Sequence, residues 1–237
     1  MGTGKSVSVR SLRVLAYTIL IKAVVSAVKL GCSAADGLAA RSIIPEWTGT
    51  GTVYVIAQMI GFNAIITGVM CLGGISVLSK SFVYSYRVAV VVLIMECTAL
   101  LIAALDIFLT INRVAAARVA SGLIVLCSIV AARLLIGVAI LLLMRGFGEA
   151  LRKSEDVRSA ASHERFGLIY LYFNCAAVIL AGLAETNGSD TAFYSALAIS
   201  LICIVLEILI YLTISDTAFR IWRQRAFDDS KEWSLIP

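Results

Sequence analysis

Histidine is almost missing from this chain, with His163 standing alone, and proline occurs twice. Charged residues make up only 15% of the sequence. A single imidazole cannot build a His-based zinc centre or a bis-histidine haem site. Charge this sparse excludes the water-facing exterior of an ordinary soluble domain, where charged residues run at about 25%. The six cysteines, Cys32, Cys71, Cys97, Cys127, Cys175 and Cys203, are scattered singly with no CxxC spacing. They read as small packing residues, neither a disulfide framework nor a metal site. The sequence also lacks a G-x-S-x-G elbow, an H-E-x-x-H helix and any paired-carboxylate metal motif, which argues against an enzyme and leaves no cofactor to expect. GTGKS at residues 2–6 lacks the first glycine of a phosphate-binding loop, and no strand precedes it. No motif places the chain in a named family.

What the chain has in abundance is apolar residues. They account for 60% of its 237 positions, and the mean hydropathy is +0.96. A spanning helix needs about 20 largely apolar residues. Six such stretches can be read, at 11–31, 52–79, 88–112, 119–144, 167–186 and 191–215. The expected fold is therefore all-α, a single polytopic transmembrane helix bundle with about six spans. A connecting loop at 145–166 and a tail at 216–237 complete it. The second stretch carries no charge in 28 residues.

Basic residues set the expected orientation, since Lys and Arg accumulate on the cytoplasmic side of a membrane. With the N-terminus inside, fourteen Lys and Arg fall in inner segments and three, Arg41, Arg113 and Arg118, in outer ones. The net charge of +5 thus reads as a topology marker, with both termini cytoplasmic, and not as a nucleic-acid footprint. The 145–166 loop mixes both signs and predicts a short surface helix that offers a docking place for protein partners, as do the helix faces. Near the tail, Arg220, Trp222, Arg223 and Arg225 form a basic aromatic stretch suited to anionic lipid headgroups. The N-terminal MGTGKS matches the N-myristoylation pattern with Gly2 as acceptor, although a chain anchored by six spans gains little from one more anchor. Asn187-Gly188-Ser189 forms a glycosylation sequon, but Asn-Gly in so short a segment reads first as a turn.

Polar groups inside the apolar stretches carry the most information, because each charge near a bilayer centre costs about 2.5–3.5 kcal/mol on insertion scales. They are Lys22, Asn63, Glu96, Asp106, Arg118, Arg133, Asn174 and Glu207. At a rise of about 1.5 Å per residue, Glu96 and Glu207 come out about 12 Å deep, Lys22 and Arg133 about 16 Å, and Asn174 about 10 Å. Two acids and two bases therefore share one layer. Antiparallel pairing about a turn near 112–117 sets Glu96 opposite Arg133 and Asp106 opposite Arg118, two ion pairs expected to staple that hairpin. Thr18, Lys22, Ser26, Lys29, Ser33 and Asp36 recur at helical spacing as one polar stripe, expected to face the bundle interior.

Two functional readings follow. In the first the charged layer fixes helix register in a non-enzymatic membrane scaffold or accessory subunit. In the second, Lys22, Glu96, Arg133 and Glu207 form the path of a small channel or proton-coupled transporter.

Overall fold

The computed structural model describes residues 3–45, 49–76, 79–111, 115–152 and 157–233, with side chains described throughout except at 3–10, 103–126, 129, 157–158, 185 and 221–233. Six helices run along these residues: α1 (Thr3–Ala40), α2 (Thr50–Ile75), α3 (Lys80–Ile111), α4 (Ala115–Arg152), α5 (Val157–Asn187) and α6 (Asp190–Trp233). Each contains a stretch long and apolar enough to cross a bilayer.

The helices overrun the apolar stretches that announce them. α1 has 38 residues and α6 has 44, about 57 and 66 Å at the standard rise, against a hydrocarbon core about 30 Å thick. The 145–166 segment accordingly holds no separate short helix among its described residues. It is the end of α4 and the start of α5, and residues 216–233 of the expected tail continue α6. Nothing in these polar continuations breaks a helix, since the chain's two prolines are Pro45 and Pro237.

The turns have identifiable causes. At the end of α1, Ile43 N donates to Leu38 O at 3.0 Å and Ser42 N to Ala39 O at 2.8 Å, the paired bonds of a Schellman motif, with Ser42 left-handed at φ 57°. Pro45 follows and prevents the helix from resuming. Ser79 and Ser189 cap α3 and α6 by accepting from Phe82 N (3.2 Å) and Ala192 N (3.3 Å). Gly188, at φ 60°, makes the reversal between α5 and α6, the turn expected from Asn-Gly.

Consecutive helices pack side by side, and α6 returns to pack against α1, so the six close into a ring. The junction between α2 and α3 is the loosest of the six. Six antiparallel passes put both chain termini at one end, here the proximal end. The core is concentrated there: Leu12, Ile75, Phe82, Met144, Phe147, Ile210 and Ile214 are fully buried. Phe82 and Phe147 meet edge to face with centroids 5.2 Å apart, and the Phe82 ring lies so close to Gly146 that a Cβ there would stand 2.7 Å from it. Lipid is as apolar as these side chains, so close packing of this kind, and not exclusion from water, holds such helices together.

A polar layer across the bundle

Two networks cross the ring just beyond the packed core. The first joins α1, α5 and α6. Lys22 Nζ donates to Glu207 Oε1 and to the Tyr170 hydroxyl at 3.2 Å, and that hydroxyl donates to the same Glu207 oxygen at 2.7 Å. Glu207 is 2% exposed and Tyr170 1%. Glu207 Oε2 is buried and has no hydrogen-bond partner among the described residues. The second network joins α1, α2 and α3. Lys29 Nζ donates to Gln58 Oε1, and Gln58 Nε2 donates to Glu96 Oε2 at 3.1 Å. Lys29 also lies 5.6 Å from the Tyr54 ring centroid, within cation–π range.

The polar stripe of α1 supplies both cations. Thr18 is buried and Lys22, Ser26 and Lys29 are half-buried, whereas Ser33 and Asp36, nearer the distal end, are exposed. The stripe thus turns inward over its first half only.

The structure departs from the expected pairings at Glu96. Among the described residues Glu96 and Arg133 form no ion pair; Glu96 accepts from Gln58 instead. The two residues sit at matching heights on neighbouring helices but look to opposite flanks. The Arg133 carbonyl accepts from Asn174 Nδ2 at 2.8 Å. Gly137, one turn on, packs against Leu171 and Asn174, so this side of α4 faces α5 while Glu96 faces α2. The Arg133 side chain is exposed, yet near enough to Lys29 and Tyr170 to act on both electrostatically. Asn63 stands apart from the layer: it is exposed and donates to the Met59 carbonyl of its own helix at 3.0 Å.

Asp106 and Arg118 lie outside the described side chains, as do Trp222, Arg223 and Arg225, and Gly2 lies outside the described residues altogether. Arg220 is exposed and paired with Asp216 at 2.8 Å, one turn back on α6.

The proximal 145–166 segment is bound inward as well as exposed outward. Arg152 bridges to Glu164 at 2.9 Å, and Ser81 Oγ donates to Glu149 at 2.5 Å. The buried His163 lies between the Ser159 carbonyl (2.7 Å) and the Thr217 hydroxyl (3.0 Å). At the distal end Arg41 ties α1 to α6 through Asp190 at 2.5 Å and covers the Phe193 ring at 4.0 Å. All six cysteines are free. No group of three potential metal ligands occurs among the described residues.

Gln58 and Tyr170 were the partners that sequence reasoning missed. A usable signal existed: Gln58 and Glu96 each lie 19 residues from position 77, in the α2–α3 connection, and Tyr170 and Glu207 are equidistant from the Gly188–Ser189 reversal. The hairpin symmetry applied to α3 and α4 would have found both, had it been applied to every hairpin.

Together these features define a six-helix bundle of the integral membrane class with an internal polar layer. Scans of protein-family models, curated proteins and solved structures find no match to the chain.

Proposed function

We propose that the chain is a non-enzymatic multi-pass membrane protein, a scaffold or accessory subunit, whose polar layer locks the helix ring in one register. The observation that carries this reading is the Lys22–Tyr170–Glu207 network, which joins the first helix to the last two. Groups that cost so much to bury are here directed at one another. The space beside them is lined almost wholly by apolar side chains, where a solute path would need a polar lining. The proximal end, richer in Lys and Arg, faces the cytoplasm in this reading, and protein partners engage the outer helix faces and the exposed side of the 145–166 segment.

A second reading, a small channel or proton-coupled transporter, draws on two observations: the partnerless Glu207 Oε2, and Arg133, which has no ion-pair partner among the described residues. Reconstitution into vesicles separates the two readings, with solute and proton flux measured for the parent, Glu96→Gln and Glu207→Gln. The scaffold reading expects no flux and, from the variants, only lower stability. Flux in the parent that disappears in a folded variant would overturn it.

A further inference from the structure

We propose that the seam between α2 and α3 is a binding site for an anionic phospholipid, with one acyl chain in the seam and the phosphate held by Lys80 and Arg87. This inference requires only that the bundle lies in a bilayer and is independent of the choice between scaffold and transporter.

α2 and α3 touch at two places, where Gln58 bonds Glu96 and where Tyr86 lies against Gly73. Between these points they part, leaving a recess of about 100 Å³, open on one side and floored by α1 and α4. Small residues create it: Ala64 and Gly68 on α2, Ala89 on α3 and Ala139 on α4. The recess extends along α1 from Leu15 to Lys22, about 10 Å at the helical rise.

Its few polar groups are already satisfied. Thr18 Oγ1 donates to Leu15 O at 2.7 Å, Ser85 Oγ donates to Ala139 O at 2.8 Å, and the Lys22 ammonium is held by Glu207 and Tyr170. Water needs two to four polar partners to occupy such a space, and these walls offer none that is unengaged. In a bilayer the apolar matter at hand is an acyl chain.

The charge at its proximal rim selects the headgroup. Lys80 opens α3 about 8 Å below Ser85 at the helical rise, and Arg87 lies half a turn above Ser85. Both are exposed and neither forms an ion pair among the described residues. Their long stems carry the charges toward the interface, where a phosphate lies when its chain enters the recess.

The test uses the full chain in nanodiscs of equal parts phosphatidylcholine and phosphatidylglycerol, with a trace of phosphatidylglycerol bearing a photoactivatable acyl chain. Cross-links are expected on peptides covering 64–72 and 85–92. In Gly68→Leu and in Ala89→Leu, each of which fills the recess, they should fall about tenfold while gel filtration and melting report an intact fold. In the double variant Lys80→Gln, Arg87→Gln the cross-links should persist but lose their preference for phosphatidylglycerol over a phosphatidylcholine probe. Labelling spread evenly over the outer faces of all helices would overturn the proposal through the parent protein alone. Labelling in folded filled variants equal to that of the parent, or cross-links between two copies of the chain at these peptides in place of lipid, would also overturn it.

Discussion

Tyr170 matters to the layer because its hydroxyl serves two charged groups at once, receiving from Lys22 and donating to Glu207. Removing that hydroxyl in Tyr170→Phe keeps the ring in place and deletes only the bonds. Hydrogen bonds to charged groups contribute about 1.5–3 kcal/mol, so thermal unfolding in detergent should show a loss of that order. Gln58→Leu should cost about 1–3 kcal/mol, since it leaves Lys29 and Glu96 without the amide that bridges them; chemical unfolding in mixed micelles checks it. How much of this was legible beforehand depends on the residue. A charge in an apolar run demands a partner, so Lys22, Glu96 and Glu207 stood out at once. Asn63 stood out too, but a neutral amide can be satisfied by its own helix, and its bond to Met59 O does this. Height along a helix follows from counting; rotation about the helix axis does not, which is why Glu96 and Arg133 match in depth yet turn away from each other.

Among the elements, the six helices were readable because apolar runs need no tertiary information to be recognised. Their polar continuations were not, and residues 145–152 and 216–233 are helical because nothing in them terminates a helix begun in the membrane. The ends of the elements make their own predictions. Ser42 holds a left-handed conformation that costs a side-chain-bearing residue roughly 1–2 kcal/mol, so Ser42→Gly should raise stability by up to that amount, read as an increase in melting temperature. Gly146→Ala should do the opposite. A methyl there meets the Phe82 ring, which is wedged against Phe147 and cannot move freely, and overpacking of this kind costs about 1–3 kcal/mol.

For the whole molecule, the decisive feature is closure. A chain of helices joined only in sequence would have two free edges, whereas here α6 packs on α1 and is bound to it near the core by Lys22 and Glu207 and at the distal end by Arg41 and Asp190. The even number of passes predicts that epitope tags at the two termini are protected or exposed together in sealed vesicles, and the distribution of basic residues predicts the cytoplasmic side. The central claim is that Lys22 and Glu207 hold the ring closed, and a double-mutant cycle in a bilayer tests it most directly. Lys22→Met and Glu207→Leu should each destabilise the protein by about 3–5 kcal/mol, because each leaves one buried charge uncompensated. The double variant, with no charge left to bury, should regain most of that loss. Single losses that simply add in the double variant, to within about 0.5 kcal/mol, would contradict the account.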